Sequence, residues 1–445
     1  MKFANQKRLP TVIGEANDVV EVLFITLVVC LLLGVPIVMS IGIATFAALQ
    51  FTDIPLALLA KAIYTATDKF PLHAVPLFIL AGALMETAGM SEQVVDVIES
   101  MVGWMRGGLA MAVVIGCMFF GAMSGSGPAT AAAIGFIMIP ALANRGYDKG
   151  YAAALTSSAG TLGILIPPSN PMIVYGVVSQ ASIVGLFIAG IVPGIFVTTT
   201  MILISYAICR RRNYGIKTEK INIREMLAIS WKSKWSLMAP VIILGGIYGG
   251  IFTPVEASVV AVNYAVFVGL FITKKLNMQI IYDCFSRTTI IAGSMIVLIG
   301  LSTSFGELLT LYQVPQQIAE MLGAITSNVK IIYLMIIAFL IILGTFMDTM
   351  ATIIILTPIL LPVMVKLGVH PIHFGIIFVV TNEIAFLTPP VGANLFAMTG
   401  VTKLPIEQIA REEIPFIIGL IFAVIVLAWY PKIAMFLPRI MGYAF

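Results

Sequence analysis

Charged side chains are scarce. Asp, Glu, Lys and Arg make up 10% of the 445 residues, against 60% hydrophobic side chains. A small soluble domain presents ~25–35% charged residues at its surface, so a soluble enzyme is excluded. A single-pass receptor is excluded too, because no polar stretch is long enough for an extramembrane domain. The net charge of +4 is too small to imply a nucleic-acid partner. Four cysteines, Cys30, Cys117, Cys209 and Cys284, show no paired spacing. They exclude a disulfide framework and a zinc site, and are expected as fillers of apolar helices. Of three histidines, His370 and His373 flank Pro371; with no third ligand nearby in sequence they are expected in a loop rather than on a metal. Motifs for nucleotide, zinc and serine-hydrolase chemistry are missing: Ser126 has Ser124, not glycine, two residues before it. The chain is therefore expected not to be an enzyme and to need no cofactor.

What remains is long apolar sequence. A mean hydropathy of +1.06 and helical spans of about 20 residues predict an all-α integral membrane protein with about ten to fourteen crossings. Residues 1–18 are polar and precede an apolar run without an early small-residue cleavage site, so no removable signal peptide is expected. The densest basic stretch, residues 210–236, includes Arg210, Arg211, Arg212, Lys217, Lys220, Arg224, Lys232 and Lys234. The positive-inside rule predicts a cytoplasmic loop there.

That loop divides two similar halves. Pro140 falls on Pro362, Pro167-Pro168 on Pro389-Pro390, and Pro193 on Pro415, all at one offset. The first repeat is read as 19–209 and the second as 237–445. Each half reads as three spans, an amphipathic connector (92–105 and 313–323), a pair of short apolar segments meeting at a polar tip (107–143 and 329–365), a span broken at Pro-Pro (151–179 and 372–401), and a final span. Residues 54–70 read as a surface helix. Thr253-Pro254-Val255-Glu256 predicts a capping box at a helix start. If each pair of segments dips in and returns, a repeat crosses five times, an odd number. The fold class predicted is then an inverted-topology repeat with two re-entrant hairpins and two broken helices, with the amino terminus outside.

The chemistry is concentrated at the tips and breaks. Between positions 107 and 209 the only charges are Arg145, Asp148 and Lys149. Ser124-Gly125-Ser126-Gly127-Pro128-Ala129-Thr130 interrupts one apolar pair and Ile166-Pro167-Pro168-Ser169-Asn170-Pro171 interrupts the next span. Proline removes amide donors, so carbonyls near Gly163 to Ile166 lose partners, and such breaks are tolerated only beside a protein-lined cavity. Freed carbonyls suit a dehydrated Na⁺, and the amino-terminal ends of the following half-helices suit a carboxylate. The second half repeats this at Gly344-Thr345-Phe346-Met347-Asp348-Thr349-Met350 and Leu387-Thr388-Pro389-Pro390-Val391-Gly392-Ala393-Asn394. Two tips and two breaks imply two cation sites around one substrate site. Asp348 is the one acid at either tip, and reads as a cation ligand or as a helix cap. Glu383, one turn before the second break, could orient carbonyls, carry a proton or make a structural hydrogen bond. A passive channel would need a continuous polar lining, which this distribution lacks.

These tips and breaks, with Gly146-Tyr147, Phe252-Thr253-Pro254-Val255-Glu256-Ala257 and Leu356-Thr357-Pro358-Ile359-Leu360-Leu361-Pro362, resemble the large permease (M) subunit of tripartite ATP-independent periplasmic (TRAP) transporters, the DctM-like family, over nearly the whole chain. The resemblance implies a Na⁺-driven secondary transporter of the bacterial inner membrane, with an elevator arrangement like that of the ion transporter superfamily. It implies as partners a small four-helix membrane (Q) subunit and a periplasmic substrate-binding (P) protein. The substrate would be a carboxylate, a C4-dicarboxylate before a sialic acid or other organic acid. Carried over by residue, one Na⁺ site would use Ser124, Ser126 and Gly127 with Gly163 and Pro167; the other would use Asp348 and Thr349 with Thr388, Pro389 and Gly392. Substrate would lie between them, near Ser126, Thr130, Ser169, Asn170 and Asn394. A symporter needing no binding protein is the alternative.

Overall fold

The computed structural model describes residues 9–52, 54–215, 223–389 and 392–443. Outside the described residues lie the first eight positions of the polar amino-terminal segment, 216–222 of the basic stretch, and Pro390 and Val391 of the second break. The described residues contain no strand. The first half comprises α1 (Leu9–Leu32), α2 (Ile37–Leu49), α3 (Leu56–Thr67), α4 (Ala74–Thr87, entered through a 3₁₀ turn), α5 (Met90–Val102), α6 (Gly108–Ser124), α7 (Gly127–Asn144), α8 (Lys149–Gly160), α9 (Leu162–Leu165), α10 (Asn170–Ser179) and α11 (Ile183–Arg212). The second comprises α12 (Ile223–Lys232), α13 (Lys234–Tyr248), α14 (Pro254–Phe267, extended by a π turn), α15 (Met278–Leu311), α16 (Val314–Ile325), α17 (Val329–Gly344), α18 (Thr349–Lys366), α19 (Pro371–Ala385), α20 (Ala393–Thr402), α21 (Ile406–Trp429) and α22 (Pro431–Ile440).

Local chemistry sets the ends. Thr253 N–H donates to Glu256 Oε2 at 2.8 Å and Glu256 N–H to Thr253 Oγ1 at 3.3 Å, a complete capping box at the start of α14. Asp148, Ser182 and Asn277 cap α8, α11 and α15 with their side chains. All four cysteines are free and buried.

Several boundaries differ from expectation. Among the described residues, seven helices are long and apolar enough to cross a membrane by length and composition, or eight with the bent α8–α10 pair. Five further apolar helices, α2, α6, α13, α17 and α19, are too short to meet that length. Helix α1 begins at Leu9, inside the polar segment, and α11 runs on through Arg212 into the basic stretch, which also holds α12. Three arginines in the last turn of α11 face the partial negative charge of its carboxyl end. Apolarity marks where a chain enters lipid, not where its helix stops. His373 lies in α19, not in a loop: its Nδ1 meets Tyr333 Oη at 2.9 Å and its Nε2 meets the Leu427 carbonyl at 3.0 Å. Both ring nitrogens are engaged, so this histidine fastens α19 to α17 and α21. Helix α22 has no counterpart in the expected spans.

Between helices in lipid, association rests on close packing and polar contacts more than on hydrophobic transfer. Helix α8 meets that demand with small residues: Ala152, Ala153, Ala154, Ser157, Ser158, Ala159 and Gly160 are all buried. Its neighbours are α6 and α7 from its own half and α20 and α21 from the other. Helix α10 likewise packs on α18 and α19. The halves are therefore interleaved, and the tips and breaks of both lie among these central helices.

Candidate functional site

Helix α6, with 17 residues, stops at Ser124, and Gly125 follows in the left-handed region (φ 61°). Ser126 is extended and precedes α7 without a side-chain cap, while Pro128 stands in the first turn. Ser124 Oγ and Thr130 Oγ1 are 2.7 Å apart, which ties the end of α6 to the start of α7. Opposite the tip, the span formed by α8, α9 and α10 bends by 42° between Leu165 and Asn170. Neither Pro167 nor Pro168 has an N–H, so the Gly163 and Ile164 carbonyls have no i+4 donor. Ser169 caps α10, accepting from Met172 N at 3.4 Å.

Backbone meets backbone where this tip and break touch. Asn170 N–H donates to the Gly125 carbonyl at 3.4 Å. A Cβ added at Gly163 would stand 2.8 Å from Ser126 O, so only glycine lets the break approach the tip so closely. Ser124, Ser126, Gly127, Thr130, Gly163 and Asn170 are thus brought together. Asn170 is buried, and its Oδ1 has no hydrogen-bond partner among the described residues.

In the second half, α17 ends at Gly344 after 16 residues. Asp348 is exposed on the chain and caps α18, its Oδ2 accepting from Met350 N at 2.8 Å. Helix capping is therefore one role of this acid, and its Oδ1 is not used in that bond. Helix α19 closes at Ala385; Thr388 and Pro389 follow, and Gly392 (φ 50°) leads into α20. No described hydrogen bond joins Asp348 or Thr349 to Thr388, Pro389 or Gly392.

The two halves meet at Glu383. Thr349 Oγ1, in the first turn of α18, donates to Glu383 Oε1 at 3.3 Å. The other oxygen points to the start of α7: a Cβ at Gly127 would lie 2.6 Å from Glu383 Oε2 and 3.3 Å from Asn394 Oδ1. A buried carboxylate thus sits between the amino-terminal ends of two helices, one from each half, where the partial positive charge of both favours it. Glu383 Oε2 and Asn394 Oδ1 have no hydrogen-bond partner among the described residues, and Asn394 Nδ2 donates to the Ser157 carbonyl at 3.2 Å. The sequence left the role of Glu383 open, because nothing local reveals that its two oxygens reach different halves.

The family model described as "Tripartite ATP-independent periplasmic transporter, DctM component" matches residues 24–433. The chain belongs to this family. It is a large permease component of a TRAP transporter, a multi-pass protein of the inner membrane, and the family is one of transporters rather than enzymes. It is 42% identical over 428 residues to the isethionate TRAP transporter permease protein DctMQ of Oleidesulfovibrio alaskensis, a match covering 96% of this chain and 67% of that protein. It is 37% identical over 404 residues to the C4-dicarboxylate TRAP transporter large permease protein DctM of Pseudomonas aeruginosa, covering 91% and 94%. Its fold is like that of the Alcanivorax borkumensis YdaH transporter, with a TM-score of 0.64 at 15% identity, covering 85% of this chain and 89% of that one.

Proposed function

We propose that this TRAP permease imports a small organic anion by coupling it to Na⁺, receiving it from a periplasmic binding protein and working beside a small membrane subunit. The observation that carries the reading is the convergence of both halves on Glu383, next to acceptor oxygens without partners. Buried oxygens without partners carry a desolvation cost, and Glu383 Oε2 and Asn394 Oδ1 face the start of α7, beside the residues assigned here to the first cation and to substrate. One Na⁺ site is assigned to Ser124, Ser126 and Gly127 with the carbonyls at Gly163 and Pro167. The other is assigned to Asp348 and Thr349 with Thr388, Pro389 and Gly392. Ser126, Thr130, Ser169, Asn170 and Asn394 are assigned to substrate. The relatives are named for a C4-dicarboxylate and for isethionate, so the substrate class is a small carboxylate or sulfonate. An elevator motion is supported by an apolar seam between α4 and α15 on one side and α10 and α18 on the other, lined by Val75, Pro76, Val174, Met295 and Ile354. Such a seam has no directional bonds to break as one side slides. The basic stretch 210–236 is assigned to the cytoplasm and the amino terminus to the periplasm.

Two variants test this in proteoliposomes. Asp348→Asn is expected to keep the cap on α18, since asparagine also caps, while weakening the Na⁺ dependence of uptake by about tenfold, the loss of ~1.4 kcal/mol. An unchanged Na⁺ titration would remove Asp348 from the cation site. Pro167→Ala with Pro168→Ala supplies donors to the Gly163 and Ile164 carbonyls. Uptake should then fall to background, and wild-type uptake would show that the break has no part in transport.

A further inference from the structure

Glu383 and Glu413 are the two acids buried among the described residues. The site above uses Glu383 and leaves Glu413 unexplained. Glu413 lies on α21 where that helix packs on α8, with its carboxylate beside Ser157. Neither carboxylate oxygen has a hydrogen-bond partner among the described residues, and the same holds for the buried Ser157 Oγ and Ser158 Oγ. The neighbouring acid, Glu412, is paired: Arg212 meets it at 2.8 Å. A buried carboxylate with no neighbour beyond the Ser157 hydroxyl is costly to hold as an anion, and a proton or a cation must neutralise it.

The surroundings indicate what does so. Carboxylate and hydroxyl oxygens, with no nitrogen or sulfur ligand, form a hard set suited to Na⁺ or K⁺ rather than to a transition metal. A polar cleft of about 630 Å³ opens at the start of α21 and reaches Glu412, the residue next to Glu413. Its carboxylates, Asp148, Glu407 and Glu412, outnumber its guanidiniums, Arg212 and Arg411, so it attracts cations. On the far side of the same turn, the Ser157 carbonyl accepts from Asn394 Nδ2 at 3.2 Å. One turn of α8 therefore stands between Glu413 and the cluster around Glu383.

We propose that Glu413 and Ser157 hold a monovalent cation between α8 and α21, in a site separate from the two tip-and-break positions. The site rests on the reading of this permease as cation-coupled. An ion there neutralises Glu413 and stiffens the turn that presents Ser157 to Asn394, which links its occupancy to the order of the central site.

The test is the stoichiometry of ²²Na⁺ binding to the purified full-length chain. Glu413→Gln should bind one ion fewer per chain than the parent, and Ser157→Ala should keep the full count with one apparent Kd raised about tenfold. Should the glutamine variant not assemble, the serine variant decides. A parent that binds no Na⁺ would refute the cation-coupled reading itself. A parent that binds Na⁺, with both variants matching it in count and affinity, would overturn the Glu413 site alone. An unchanged count in Glu413→Gln together with a lost pH dependence of uptake would also overturn it, because Glu413 would then carry a proton.

Discussion

Glu383→Gln is expected to reduce the initial rate of uptake by roughly 30- to 150-fold. The substitution keeps the shape of the side chain and its reach to Thr349 but removes the charge between the starts of α7 and α18. A hydrogen bond to a charged group contributes about 1.5–3 kcal/mol, and the loss of ~2–3 kcal/mol at the site corresponds to that range of rates. Because Glu383 Oε2 lacks a partner, its replacement by an amide should leave folding nearly intact. The measurement is therefore uptake and thermal melting together. A large loss of transport with an unchanged melt supports a functional charge. A matching loss of both would reduce Glu383 to a structural tie, and wild-type uptake would remove it from the mechanism.

Gly163→Ala is expected to lower uptake by at least about tenfold and to reduce stability by about 1–3 kcal/mol, the usual cost of overpacking. The added methyl group meets the Ser126 carbonyl at 2.8 Å, on backbone that cannot swing aside. Tip and break must then separate, which opens the proposed first cation site. Gly400→Ala is the control, since nothing lies within 4 Å of a Cβ there. If the two alanine variants behave alike, the close approach of tip and break has no functional weight.

Much of this was legible in the sequence because membrane insertion leaves strong signals. The scarcity of charge pointed to an all-helical membrane protein, and Thr253 with Glu256 announced the start of α14. What the sequence could not supply were relations across the fold. Glu383 follows Thr381-Asn382, Asn394 stands alone in apolar sequence, and only packing brings both to Gly127. His373 beside Pro371 looked like a loop residue, yet Tyr333 and the Leu427 carbonyl hold it inside a helix. Glu412 and Glu413 are adjacent, and the helical turn hides Glu413 from solvent while pairing Glu412 with Arg212.

The central claim is that this permease moves its anion only with Na⁺ and a binding protein. The most direct measurement is uptake of labelled carboxylates and sulfonates by proteoliposomes containing the chain and its small partner, under an inward Na⁺ or K⁺ gradient, with and without the binding protein. Accumulation that needs both Na⁺ and the binding protein is the predicted result. Accumulation with Na⁺ alone, or leak without accumulation, would contradict it.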